Sequence, residues 1–187
     1  MSFITQVTIS IVIYFIIRFS YKREKSLYIS TLFSSFSYIL MYLLSYKIIN
    51  ILPTIHFIVT GLSLLFLFIA YNEIIILERT VKKIKNGETI NTDSFPIEKG
   101  YKVVFSLLGI GLFFLSLALI SGLSMQSVFT ANIIFKVIFT FIAWLIYLIT
   151  LIGVKFFNFP IKYATRSLFV AMWAVLIAYY MNSYLIG

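Results

Sequence analysis

The chain alternates between six long apolar stretches and shorter polar segments. The apolar stretches cover about residues 3–19, 27–50, 54–77, 101–124, 131–157 and 162–185. Each meets or approaches the ~20 consecutive apolar residues that an α-helix needs to cross the hydrocarbon core of a bilayer. The first stretch lacks the flanking features of a signal peptide, so we count it as a span. The pattern predicts an all-α, polytopic transmembrane helix bundle of about six spans, forming a single membrane domain over residues 1–187.

Composition excludes a soluble domain. Hydrophobic residues make up 61% of the 187 positions and charged residues only 11%, whereas a soluble domain carries about 25% charged residues. A soluble chain of this length has too much surface for its volume to hide so much apolar material. The predicted partner of the apolar helices is therefore the lipid bilayer.

The basic residues predict how the helices are oriented. Most of the 15 Lys and Arg residues follow the first, third and fifth apolar stretches, which places them on one side of a six-span protein. Under the positive-inside rule this side is cytoplasmic, so we expect a cytoplasmic loop at about 78–100 and both termini outside. This organisation predicts a multi-pass protein of the inner (plasma) membrane. The net charge of +9 then faces anionic headgroups, and we expect no nucleic-acid partner.

The third stretch is expected to continue as a helix beyond the membrane. Over residues 73–85, apolar side chains fall on one helical stripe, and Glu78 stands four residues before Lys82, which is a favourable helical pair. Asn86-Gly87 predicts its end.

Small residues recur on the fourth stretch and predict a close helix–helix contact. They are Gly109, Gly111, Ser116, Ser121 and Gly122.

Groups that could carry chemistry are scarce. The chain has one histidine, no cysteine and six acidic residues, which lie in or near the predicted cytoplasmic loops. No Ser/His/Asp set, intramembrane carboxylate pair or metal-ligand cluster can be assembled from them. The sequence therefore predicts no catalytic residues and no metal site, and we expect that the protein is not an enzyme.

Two residues have open interpretations. His56, near the outer end of the third stretch, could ligate haem iron or a metal, or could form an interfacial hydrogen bond. Lys136, near the outer end of the fifth stretch, could extend to the membrane interface or could pair with an anionic group such as a haem propionate.

A set of motifs extends from the third stretch to the end of the chain. Two glycines bound a Leu- and Ser-containing helix at 111–122, Lys136 precedes an Ala-Trp-x-x-Tyr sequence at 143–147, and a basic turn leads into an aromatic-rich stretch at 162–180. Together with His56, these motifs resemble the bacterial cytochrome c assembly-like inner-membrane proteins, the CcsA/HemX-related group. The chain looks like a shortened member of that family.

The resemblance implies haem handling or cytochrome c-type biogenesis, carried out with other membrane or cytochrome-assembly proteins. It also implies haem binding, with His56 as the candidate axial ligand and Lys136 as the candidate propionate partner. The chain departs from the family in its short outer loop without Trp or His, and in Phe135, which occupies a position where many members have a histidine. A second histidine ligand would therefore have to come from a second copy or a partner.

Two other classes of function stay open. A small transporter or permease subunit would need a polar path, for which the stretches offer mainly Ser, Thr and Tyr hydroxyls. A structural subunit would only pack within a larger membrane complex.

Overall fold

The computed structural model describes residues 2–20, 24–45, 50–87, 97–126, 130–157 and 159–184. Within these ranges the chain forms six α-helices and no β-strand. The helices are α1 (Phe3–Ser20), α2 (Glu24–Ser45), α3 (Ile51–Lys85), α4 (Ile97–Ser124), α5 (Ala131–Phe157) and α6 (Ile161–Tyr184). Each contains a segment long and apolar enough to cross a membrane. The predicted all-α fold with six membrane-spanning helices is confirmed, and the protein is a multi-pass membrane protein.

Four helices form a closed ring. In the described residues, α3 packs on α4, α4 on α5, α5 on α6, and α6 on α3, whereas the backbones of the diagonal pairs α3/α5 and α4/α6 do not come close to each other. Side chains from all four helices fill the ring. The fully buried residues Leu65, Leu108, Tyr147 and Leu168 come from α3, α4, α5 and α6 respectively and belong to one core cluster.

The first two helices form a hairpin that packs on the outside of this ring. In the described residues, the backbones of α1 and α2 approach each other and α3, but not the other ring helices. Tyr38 of α2 donates a hydrogen bond to the carbonyl oxygen of Phe57 at 2.7 Å. Its ring lies against Gly61, where any added Cβ would overlap the Tyr38 side chain. Gly61 therefore permits the close approach of α2 to α3.

Helix α3 is the longest element, and its limits follow from its sequence. Pro53 lies in the first turn, where its missing N–H breaks no helical hydrogen bond. The 35 residues extend about 52 Å, against about 30 Å for a hydrocarbon core, so the helix is longer than a span requires. It ends at Lys85, and Gly87 follows with φ 73°, a conformation that glycine adopts readily. The predicted helical continuation and its end at Asn86-Gly87 are confirmed.

The connection between α4 and α5 has the predicted bounds, whereas the one between α3 and α4 is shorter than predicted. The predicted loop at 78–100 narrows to the segment between Lys85 and Ile97, of which residues 88–96 lie outside the described part of the chain. The predicted end of the second span at Asn50 and start of the third at Thr54 are wrong, because Asn50 has an extended backbone and caps α3, which begins at Ile51. Residues 46–49 lie outside the described part of the chain, as does the predicted end of the sixth span at 185.

The small residues of α4 form the predicted close contact with α3. A Cβ at Gly111 would stand 2.8 Å from Leu67 Cδ2, and the Ser63 hydroxyl donates to the Gly111 carbonyl oxygen at 3.4 Å. The prediction is confirmed at Gly111 and at Gly122, which packs on His56. It is wrong at Gly109, because among the described residues no atom of another helix lies within 4 Å of the position that a Cβ would take.

The helix order gives the bundle two chemically different ends. One end, which we call the basic end, joins the C-terminal ends of α1, α3 and α5 to the N-terminal ends of α2, α4 and α6. Basic residues of this end include Arg18, Lys85, Lys102, Lys155 and Lys162. The opposite end, which we call the His56 end, contains His56 and Lys136. Between the two ends, large apolar side chains such as Ile16, Phe113 and Ile149 face outward, as contact with lipid requires.

Candidate ligand site

The two residues singled out from the sequence, His56 and Lys136, line one cavity. This cavity has a volume of about 300 Å³ and lies at the His56 end of the ring. All four ring helices contribute to its walls, and Phe3 of α1 adds to them. The cavity lies between the diagonal helices α3 and α5, whose backbones do not come close to each other in the described residues. Tertiary packing therefore brings together two side chains that are far apart in the sequence.

The imidazole of His56 is held by Ser121 of α4. Its Nδ1 lies 2.9 Å from Ser121 Oγ, and that hydroxyl donates its own proton to the Leu117 carbonyl oxygen at 2.7 Å. In the tautomer in which Nδ1–H donates to Ser121 Oγ, the other nitrogen, Nε2, carries the lone pair. This is the form of histidine that can ligate a metal ion or accept a hydrogen bond from a ligand.

Glycine at position 122 makes this arrangement possible. A Cβ added to Gly122 would stand 3.0 Å from His56 Cε1, which is closer than nearly all such contacts. Helix α4 therefore approaches the imidazole with its backbone and supplies the Ser121 hydroxyl one residue earlier. The small residues of α4 position the histidine as well as joining two helices.

The cavity offers few polar groups besides the imidazole and the ammonium group. The hydroxyl of Thr60 donates to the His56 carbonyl oxygen at 2.7 Å, and that of Thr140 donates to the Lys136 carbonyl oxygen at 2.8 Å. These hydroxyl protons are therefore used within their own helices. No acidic side chain is among the described residues that line the cavity. An apolar cavity with one cation favours a ligand that has an apolar body and an anionic group.

His56 and Lys136 are residue types that can hold haem, but the cavity is small for a porphyrin. Imidazole is the common axial ligand of haem iron, and a lysine can pair with a propionate. No group of three His, Cys, Asp or Glu side chains suited to a metal ion occurs in the described residues. At about 300 Å³ the cavity is at the lower limit for small-molecule sites, so a porphyrin could enter only if the lining side chains moved apart.

A second polar cluster, at the basic end between α1, α2 and α3, was not predicted. Glu73 accepts hydrogen bonds from Tyr14 Oη at 2.6 Å and from Arg18 Nε at 2.8 Å and Nη2 at 3.3 Å. Arg18 Nη1 donates to Ser26 Oγ at 3.0 Å. The sequence pattern predicts that Glu73 lies near the loops, but it does not predict which basic residue pairs with it. A charge inside an apolar helix normally faces the bundle interior and is paired, and this signal could have identified the cluster.

Comparison with known proteins adds no relative. No protein-family model matches the sequence, and no curated protein or solved structure is detectably similar to it. The resemblance to the cytochrome c assembly-like proteins therefore stays a prediction based on the motifs in the sequence.

Proposed function

We propose that this protein is a non-enzymatic membrane protein that handles haem or supports cytochrome biogenesis, and that the cavity lined by His56 and Lys136 is its ligand site. The observation that supports the proposal is that these two residues, chosen for complementary roles toward one ligand, line the same cavity. A smaller amphiphilic anion would need less movement of the cavity lining than haem, and direct measurement of haem binding distinguishes the two ligands.

Each residue has a defined role in this proposal. His56 offers Nε2 as a ligand nitrogen and is held by Ser121 through Nδ1. Lys136 provides the positive charge for a carboxylate. The chain has one histidine, so a second imidazole would come from another copy or from a partner. Haem would be the cargo of the protein, which fits a subunit that acts together with cytochrome-assembly proteins.

The proposed location follows from the charge distribution. The basic end would face the cytoplasm under the positive-inside rule, and the His56 end would face outside, with both termini on that side. In a bacterial cell this corresponds to the inner (plasma) membrane. The ligand cavity would then open toward the compartment in which haem is attached to c-type cytochromes.

A visible absorption spectrum tests the proposal. The purified protein would be titrated with haem and compared with His56→Ala, Lys136→Gln and, as a control for loss of a lysine, Lys102→Gln at the basic end. We expect a Soret band in the wild type and Lys102→Gln, a shifted or absent band in His56→Ala, and weaker binding in Lys136→Gln. Haem binding that His56→Ala leaves unchanged would contradict the assigned site.

If adding haem leaves the absorption spectrum of the wild type unchanged in several detergents, haem handling itself is contradicted. The two other classes of function would then be tested directly. Substrate flux in proteoliposomes would support a permease subunit, and co-purification with a fixed membrane partner without a ligand would support a structural subunit.

A further inference from the structure

A second, larger cleft lies at the basic end, away from the His56 cavity. It has a volume of about 870 Å³ and is bounded by α4 on one side and by α5 with the start of α6 on the other. On α4, Lys102, Phe105 and Gly109 follow one another at helical spacing along its wall. On α5, Leu151 and Val154 form the facing wall. The cleft is therefore a groove on the side of the bundle, between neighbouring membrane-spanning helices.

The polar and apolar parts of the cleft are separated along the helix axis. Lys102 and Lys155 are both exposed side chains that line it, and they lie toward the basic end. Gly109 is seven residues further along α4 than Lys102, which corresponds to about 10 Å deeper in the membrane. The cleft thus combines positive charge at the level of the headgroups with an apolar groove below it.

Aromatic packing and a missing side chain shape the apolar part. Tyr101 and Phe105 stack with ring centroids 6.1 Å apart, and both line the cleft. Phe159, which also lines the cleft, folds back over Gly153, where a Cβ would stand 2.5 Å from its ring. At Gly109 no neighbouring atom lies within 4 Å of a Cβ position, so the wall is recessed there. A recess between helices at this depth has the shape to receive an acyl chain.

We propose that this cleft binds an anionic phospholipid, with its phosphate between Lys102 and Lys155 and an acyl chain along Phe105 and Gly109. Basic pockets between membrane helices are typical sites for acidic lipid headgroups. Two lysines and one carboxylate, Glu98, give the lining a net positive charge. This inference does not depend on the proposed haem site, because the two cavities share no lining residue.

Native mass spectrometry of the intact protein tests the inference. The protein would be mixed in detergent with phosphatidylglycerol or with phosphatidylcholine of the same acyl chains. We expect preferential retention of phosphatidylglycerol by the wild type. Because two surface cations together change the affinity for an anionic lipid by roughly 30-fold, Lys102→Gln with Lys155→Gln should lose most of this preference.

A matched control separates the cleft from the general charge of the basic end. Lys162→Gln with Arg166→Gln removes the same charge from exposed residues at this end that do not line the cleft. It should leave the preference nearly unchanged. Equal losses in the two double variants, or equal retention of the two lipids by the wild type, would overturn the proposal.

A third variant tests the acyl-chain groove without changing charge. Gly109→Leu places a side chain in the recess, and the open space at this position makes it compatible with folding. Retention of phosphatidylglycerol should fall by several fold while the variant stays as stable as the wild type. Unchanged retention in this variant would show that only the headgroup is bound and would refute the proposed position of the chain.

Discussion

Replacing Glu73 by glutamine should destabilise the protein more than any other single loss of a carboxylate at the basic end. The substitution keeps the shape of the side chain but removes the counter-charge of Arg18, which stays in α1 with no other acidic partner among the described residues. The side chain of Glu73 is 7% exposed and that of Arg18 is 19% exposed, so water screens the pair only weakly. The variant would therefore leave a largely buried positive charge unpaired.

The expected loss of stability follows from the ion pair and the hydrogen bonds of Glu73. Removing one partner of a buried ion pair costs about 3–5 kcal/mol. A glutamine oxygen can still accept the hydrogen bond that Tyr14 donates to Glu73 at 2.6 Å, which recovers part of the loss. We therefore expect the free energy of unfolding to fall by about 3 kcal/mol. Exposed carboxylates should matter far less, because surface ion pairs contribute about 0–1 kcal/mol.

Unfolding by SDS in mixed micelles, followed by far-ultraviolet circular dichroism, would measure this difference. Glu98→Gln serves as the control, because Glu98 is an exposed carboxylate at the same end. The double variant Arg18→Leu with Glu73→Leu should be more stable than Glu73→Gln, since apolar replacement of both partners leaves no buried charge. If Glu73→Gln and Glu98→Gln unfold at the same SDS fraction, the ion pair does not hold α1 to α3 and the reasoning is refuted.

Three further predictions concern packing and orientation. Gly61→Ala should lower the free energy of unfolding by about 1–3 kcal/mol in the same assay, because the new Cβ would overlap the Tyr38 ring. Tyr147→Phe should leave stability unchanged or raise it, since the buried Tyr147 hydroxyl has no hydrogen-bond partner among the described residues. Because the chain lacks cysteine, Ser124→Cys should react with an impermeant thiol reagent in intact cells, and Lys85→Cys only after permeabilisation.

A specific result would contradict each of these three predictions. Gly109→Ala is the control for Gly61→Ala and should be tolerated, because its Cβ meets no neighbour, and equal losses would contradict the packing argument. A marked loss of stability in Tyr147→Phe would show that the hydroxyl is satisfied after all. Labelling of Lys85→Cys in intact cells would reverse the proposed orientation.

The sequence by itself determined the number and type of the elements. Six apolar stretches of the required length predict six membrane-spanning helices. A bilayer offers no water to the backbone polar groups, and an α-helix satisfies all of them internally. The end of α3 was also predictable, since the Asn86-Gly87 signal acts locally and Gly87 takes the positive φ that such an end needs. The small residues of α4 identified a contact surface correctly at Gly111 and Gly122, but not its partner helix.

Only the tertiary structure decided which side chains meet. A pattern of apolar residues does not specify the order of helices around the ring, so the shared cavity of His56 and Lys136 could not be derived from it. For the same reason the pairing of Glu73 with Arg18 was missed, although a charge inside an apolar helix required a partner somewhere. The cleft at the basic end likewise arises from the juxtaposition of α4 and α5. Helix formation depends on neighbouring residues, whereas sites between helices depend on how whole helices pack.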